Sequence, residues 1–561
     1  MTALAPHIRD PLEAGMAHHR AGNIAKAEVN YKRALAARPG DPNALHLLGL
    51  VAFDKGHPER ALQLISKALA RDPGNADYLH SASHVLQTME RFDQAATRYH
   101  EALETDPDRV LTLSNLGNTL KRMELYDEAA GELTRAVEID PGFAEGWSNL
   151  GLVEKDRGNL DAAVTCFEKA ADLNPGVAAF PYNLGNVFTA QGRREEALRA
   201  YGEALAVEPA HGGARVNTGA ALRQMGRLQE AVTMLDDALI LRPGDAEARW
   251  NLGLTRLMAE DWQPGFDDFE ARRQIPGMSA ALPGGNEWDG RPIPGRRLLI
   301  NHEQGLGDAI QFLRFAADAE KLGARVAYRG PEALLPLAQH MDGISTASSL
   351  DDPAPRFDLW VPMMSLPRVL KAVSPAKLGR SGYLRPDATR MTAWRSRLET
   401  VAGCRVGIGW QGNPSYGLDQ ERSVALKFFA PLAKLPGVSL ISLQKGPGHD
   451  QLAEWPEKVP LLDLGTKLDN AGGAFMDTAA ALPALDLVIT SDSALAHLAG
   501  AVGVPTFLAL PHVPDWRWGL EGTRTVWYPT VHVFRQRHPG DWDGVFKDMT
   551  EALGARIGIH G

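Results

Sequence analysis

Pro39, Pro73, Pro107, Pro141, Pro175, Pro209 and Pro243 follow one another at intervals of 34 residues. Gly15, Gly49, Gly117, Gly151, Gly185, Gly219 and Gly253 keep the same register, with the small Ser83 in the one slot they leave. Ala27, Ala61, Ala95, Ala129, Ala163, Ala197 and Ala231 form a third series, and Ala34, Ala68, Ala102, Ala136, Ala170, Ala204 and Ala238 a fourth. A fixed period of this length is the signature of a stacked array of helix pairs. Glycine and alanine stand where two helices cross closely, and proline cannot continue the helix it follows, so it opens the next unit. One unit cannot bury its own apolar face, so the stack supplies the core. Eight units span residues 6–272, the last of them degraded, with Gly265 and Arg272 in the alanine slots.

The pattern resembles the tetratricopeptide repeat, which implies an all-α superhelix that binds polypeptide. Asn115, Asn149, Asn183, Asn217 and Asn251 each precede a repeat glycine by two residues. An amide both donates and accepts, so a row of them can hold an extended backbone with little regard to its sequence. The other reading of the row is hydrogen bonding from one repeat to the next. Leu47 and Ser81 break the row in the early repeats, which places polypeptide binding in the later ones.

From 273 to 297, Pro276, Pro283, Gly284, Gly285, Gly290, Pro292, Pro294 and Gly295 mark an irregular linker, and Trp288 is the residue expected to pin it. Beyond it, short apolar runs alternate with helical stretches, the pattern of parallel sheets covered by helices. Strands are expected at 298–301, 325–328, 359–363, 406–409, 439–443, 485–490 and 506–510, and a helical run at 389–401 divides them into two lobes, 298–388 and 389–561. Ligands of such sheets bind beyond the carboxyl ends of the strands.

The turn Ser491 to Ser493, between an apolar run and a helix-forming one, draws most interest. There the N–H groups of Ser493, Ala494 and Leu495 are the open donors of a new helix, a ready site for phosphate, and His497 lies one turn in. Asp492 or Ser493 acting as a simple cap is the alternative. Two glycine-rich stretches do not make dinucleotide sites. Ile310 takes the third-glycine place after Gly305 and Gly307, and Asn413-Pro414 after Gly412 prevents a helix from opening. A net charge of −10 gives no reason to expect nucleic acid or an anionic membrane surface; Asp541-Trp542-Asp543 has an Asp-x-Asp pattern but lies outside any strand-end cleft, so no metal and no bound cofactor are expected. Cys166 and Cys404 have no metal-ligand spacing and Met1 to Arg9 lacks a signal-peptide core, so a cytoplasmic location is expected.

Several runs carry a wider resemblance: Glu303 to Asp308, Trp410 to Pro414, Arg422-Ser423, Ser442 to Gly446, Asp477 to Ala480, Ser491 to Gly500, Asp515 to Trp518, Trp527 to Pro529 and Phe534 to Gln536. With the repeats, they resemble bacterial tetratricopeptide glycosyltransferases with an α/β GT-B double Rossmann-like catalytic domain. These are similar to heptosyltransferases in the catalytic half and to O-GlcNAc transferase in plan, and nearest to flagellin glycosyltransferases. The resemblance implies a protein O-glycosyltransferase moving a sugar from a nucleotide-sugar, CMP- or UDP-linked, to a serine or threonine. It places the donor phosphate on Ser493, Ala494, Leu495 and His497, with Arg422 and Lys445 as cations and Asp492 on a hydroxyl. Asp308 is the implied base, Glu303 the second choice, with inversion at the sugar carbon and no metal. Flagellin as acceptor would imply a nonulosonic acid on CMP; O-GlcNAc-type activity would imply UDP-GlcNAc. The competing expectation is a tetratricopeptide adaptor or chaperone whose transferase half is inactive.

Overall fold

The computed structural model describes residues 10–278, 283–415, 417 and 419–558. The chain divides into two compact units, Met1–Thr218 and Gly219–Gly561.

In the first unit, helices pair in the expected register, from Pro11–Arg20 with Ile24–Ala37 to Ala179–Ala190 with Arg194–Val207. The glycines are there because a large side chain of the paired helix lies on them. A Cβ at Gly15 would sit 2.4 Å from the Tyr31 ring, and at Gly185 2.5 Å from the Tyr201 ring. The alanines of the series seal the same seam, with Ala27, Ala61, Ala95, Ala129, Ala163 and Ala197 fully buried.

The second unit joins the last repeat helices, Leu228–Leu241, Ala246–Met258 and Trp262–Phe269, to two parallel sheets. Strands β1 (Arg297–Asn301), β2 (Arg325–Gly330), β3 (Ile344–Ser349) and β4 (Leu359–Pro362) form a sheet of order β3-β2-β1-β4. Strands β5 (Cys404–Gly409), β6 (Val438–Ser442), β7 (Leu461–Asp463), β8 (Leu487–Ser491), β9 (Thr506–Leu510) and β10 (Val531–Arg535) form the other, of order β10-β9-β8-β5-β6-β7. Helix Ala388–Leu398 lies between them in sequence. Strands such as β8 and β9 are buried at every residue and mostly apolar because helices cover both faces. Strands β3, β7 and β10 were not expected, and all three are sheet edges with partly exposed residues and no continuous apolar run.

On the side where an earlier repeat meets the one that follows it, the last repeat packs on the sheets. Leu257, Trp262, Phe266 and Phe269 share one core with Leu298, Ile300, Phe312, Trp516 and Trp527. Arg272 replaces the repeat alanine because its side chain, fully buried, reaches Glu303. Trp288 does pin the linker: it is buried, its backbone N–H donates to Trp360, and its indole donates to the Arg291 carbonyl.

Candidate functional site

Two strand-to-helix turns meet where the sheets adjoin. After β1, the chain passes Gln304, whose φ of 60° lies in the left-handed region, and enters helix Leu306–Phe312. After β8 it passes Ser491 and Asp492 and enters helix Ala494–Val502. These helix starts touch, and a Cβ on Gly307 would lie 3.2 Å from His497 Cδ2 and 3.6 Å from Ala494 Cα. Glycine at 307 permits that approach. The expected base and the expected phosphate cradle therefore belong to one place.

Asp308 caps its own helix, one carboxylate oxygen accepting from the Gly305 N–H at 2.9 Å. The other oxygen pairs with Arg517, on the loop after β9. Arg517 also donates to Asp515 at 2.8 Å and, through Nε, to Gln311 Oε1 at 2.6 Å. Burial works against the Arg517 charge, but Asp515 and Asp308 outweigh it and raise its pKa. The Gln311 amide nitrogen, fully buried, has no hydrogen-bond partner among the described residues.

On the other side, Ser493 is the N-cap residue of helix Ala494–Val502, and its side chain makes no capping hydrogen bond. Its hydroxyl lies 3.3 Å from Thr490 Oγ1 instead, which leaves the open helix end to Ala494 and Leu495, both partly exposed. Neither Asp492 nor Ser493 satisfies the helix end by a side-chain cap. Asp492 is buried, and burial followed by the nearby Asp515 carboxylate pushes it up to about 6 against the pull of Arg422. Arg422 pairs with Asp419 at 3.2 Å and lies against Gly412. His497 stacks on Trp518 at 5.1 Å and meets the Tyr528 hydroxyl at 3.0 Å. Burial, then the charges of Arg517, Arg314 and Arg422, hold its pKa well below the imidazole range, so it is a neutral donor or acceptor.

Other expected residues stand elsewhere. Glu303 does not face the site: it is buried, accepting from Arg272 Nη2 at 2.8 Å, Arg272 Nε at 3.2 Å and the Met364 N–H at 3.0 Å. Lys445 spends its donors on the Leu468 and Asp469 carbonyls and Asn470 Oδ1, at 2.6, 2.9 and 3.1 Å. Trp516, Trp518, Trp527 and Tyr528 are buried packing residues. Asp541 caps helix Trp542–Arg556, accepting from Gly544. Arg535 supports the loop after β9 by donating to the Trp518 and Gly519 carbonyls.

The asparagine row is divided. Asn149 donates to Ser114 at 3.0 Å and Asn217 to Asn186 at 2.7 Å, each one repeat earlier. Asn251 is buried and bonds Glu247 O and Arg223. The Asn115 amide lies beside the Tyr99 hydroxyl. Asn183 is half-buried and, among the described residues, no hydrogen bond holds its side chain.

Sequence reasoning missed Gln311 and Arg517 as parts of the site. The available signals were the three-residue step from Asp308 to Gln311, which puts both on one helix face, and the charged pair Asp515 and Arg517 inside an aromatic run.

Comparison with known proteins supports the repeats directly. Residues 82–144, 114–178, 148–214, 182–246 and 216–272 match the tetratricopeptide repeat, and residues 18–82 match a second form of it. The N-terminal part of the chain is a tetratricopeptide array. Protein FlbA of Caulobacter vibrioides is 29% identical over 318 residues, which cover 50% of this chain and 49% of FlbA. The chain thus spans about half the length of the curated relative it matches. Among solved structures, YrrB, described as a TPR protein with an unusual peptide-binding site, is 26% identical over 33% of this chain and 95% of its own, with a TM-score of 0.29. PilF of Pseudomonas aeruginosa is 24% identical over 37% and 95%, with a TM-score of 0.34. No described helix is long and apolar enough to cross a membrane, and no described cluster of histidine, cysteine and carboxylate side chains has the form of a metal site.

Proposed function

We propose that the protein is a glycosyltransferase of the two-lobed type, moving a sugar from a nucleotide-sugar to a serine or threonine of a polypeptide held by its repeats. The observation that carries this reading is the meeting of Asp308 with the open helix start at Ser493 to Leu495, through Gly307 against His497 and Ala494. In that arrangement the acceptor hydroxyl gives its proton to Asp308 as its oxygen bonds the sugar carbon. The bond from that carbon to the donor phosphate breaks on the far side, which inverts the carbon. The departing nucleotide carries the electron pair as phosphate charge onto the N–H groups of Ala494 and Leu495, beside Arg422. Donors fixed where charge develops stabilise the transition state more than the substrate. Neutral His497 contributes a hydrogen-bonding ring without a competing charge.

The likeness to flagellin glycosyltransferases makes CMP-linked nonulosonic acids and flagellin the first donor and acceptor to try, and UDP-GlcNAc the second donor. The test is calorimetric titration with CMP, UDP, GDP and ADP, repeated on Ser493→Asp. One nucleotide should bind saturably, and a carboxylate at the helix start should abolish that binding. If none binds the folded protein, the adaptor reading replaces this one. Where one nucleotide does bind, Asp308→Ala should remove sugar transfer while leaving polypeptide binding intact.

A further inference from the structure

The short helical turn Trp516–Trp518 has three consecutive side chains, and each faces a different part of the molecule. Trp516 lies edge-on to Phe266 of the last repeat at 6.2 Å and 6.1 Å from Phe269. Arg517 enters the site, and its guanidinium lies 4.6 Å from the Trp516 ring and 5.9 Å from Phe312. Trp518 stacks on His497, in the helix that starts at Ser493. Arg535 holds the turn by its carbonyls.

Every polar edge of Arg517 is occupied. Nη2 meets Asp308, Nη1 meets Asp515 and Nε meets Gln311. Its charge is already matched by two carboxylates, so an incoming phosphate would have to displace one. A planar fork that joins three acceptors fixes their relative placement, which a lysine, as a point charge, does not. Asp308 and Gln311 stand on one helix and Asp515 on the other sheet's loop, so the fork ties the two sheets' loops together at the carboxylate.

We propose that Arg517 is a positioning residue that orients Asp308, and that the last repeat sets the place of Arg517 through Trp516. This rests on the transferase reading for what Asp308 does, but not for how it is held. The last repeat is then part of the site and not a tether for it.

The test uses the full chain with Arg517→Gln, Arg517→Lys and Trp516→Leu, with Phe269→Leu as a milder break of the repeat contact. Nucleotide release from UDP-N-acetylglucosamine and CMP-N-acetylneuraminate is followed, resolved into kcat and KM. Calorimetric binding of UDP and CMP and hydrogen exchange of residues 305–312 are read on the same proteins. A misplacement of about 1 Å costs on the order of 100-fold in rate, so kcat should fall by that order in Arg517→Gln. KM and nucleotide affinity should hold. Arg517→Lys should recover part of the loss, and the two repeat-contact variants should fall between. Exchange across 305–312 should quicken in all of them. Nucleotide affinity falling in step with kcat would make Arg517 a donor ligand and overturn the proposal. So would unchanged exchange at 305–312 in folded Arg517→Gln. A wild-type protein that binds nucleotide but releases none from either donor counts against the transferase reading, and the exchange measurement still decides how Asp308 is held.

Discussion

The guanidinium of Arg272, the residue that closes the last repeat, forks onto both carboxylate oxygens of Glu303 at 3.2 and 2.8 Å, at the end of β1. Both side chains are buried, and Ser365 and Glu270 complete the network, with Ser365 at 2.8 Å from Arg272 and 2.7 Å from Glu270. Arg272 owes its raised pKa to Glu303 and Glu270, which outweigh the desolvation opposing its charge. This pair explains why the final repeat departs from its own pattern.

Removing one member of a buried ion pair leaves the other charge uncompensated, at a cost of about 3–5 kcal/mol. Glu303→Ala and Arg272→Ala should each lower unfolding free energy by that order in urea titrations. The double change should cost less than the sum. Glu303→Gln should keep the proposed activity in the folded fraction, whereas a loss without loss of stability would restore Glu303 as a base.

Asp492 predicts a pH-dependent stability. Its folded pKa, raised to about 6 by burial and then by Asp515, exceeds the unfolded value of 3.8. Between those values the folded protein holds a proton that the unfolded chain has released. Its contribution is therefore favourable below the unfolded value and is lost as pH rises through about 6. Asp492→Asn should raise stability at pH 8 by on the order of 1–3 kcal/mol, an advantage that shrinks toward pH 4. His497 has the opposite sign: its lowered folded value makes stability fall as pH drops below the unfolded imidazole range. Melting temperatures of wild type, Asp492→Asn and His497→Gln across this range separate the two. An Asp492→Asn curve parallel to wild type at every pH would refute the assignment.

What the sequence could reveal followed from locality and burial. The 34-residue period survives because each Gly–Tyr or Gly–Leu contact is repeated along the chain, as at Gly185 with Tyr201 and Gly117 with Leu133. Interior strands such as β8 were legible because both faces are covered; β3, β7 and β10 were not, because an edge strand has no need of a continuous apolar run. The turn at Ser493 was legible because strand, turn and helix are adjacent in sequence. The Arg517 pairing with Asp308 spans 209 residues and left no local signature. Nor did the sequence show that Glu303, five residues before Asp308, turns inward to Arg272.

Lys445 supplies the next expectation. An ammonium has three N–H donors, and Leu468, Asp469 and Asn470 take them. It therefore clamps the segment that continues through Asp469, which itself accepts from Asp477 and Thr478. Lys445→Met should weaken the fold by about 1 kcal/mol, given its partial exposure. It should also open residues 465–475 to limited proteolysis before the rest of the chain. Nucleotide affinity should change far less than in Ser493→Asp. A variant that keeps the protease pattern of wild type but loses nucleotide would return Lys445 to the phosphate site.

The asparagine row offers a test that separates packing from recognition within one motif. Asn149 and Asn217 are held by side chains of the preceding repeat, whereas Asn183 is held by no hydrogen bond among the described residues. Losing one hydrogen bond costs about 1 kcal/mol, so Asn149→Ala and Asn217→Ala should each destabilise the first unit by that order. Asn183→Ala should leave stability within about 0.5 kcal/mol, as substitutions away from such contacts do. If the repeats hold an extended polypeptide through free amides, Asn183→Ala should instead weaken capture of flagellin, the acceptor proposed above. Thermal unfolding and calorimetric binding on the three single variants decide it. A stability loss in Asn183→Ala with unchanged flagellin binding would assign that residue to packing as well. Polypeptide recognition would then rest on side chains other than the amides.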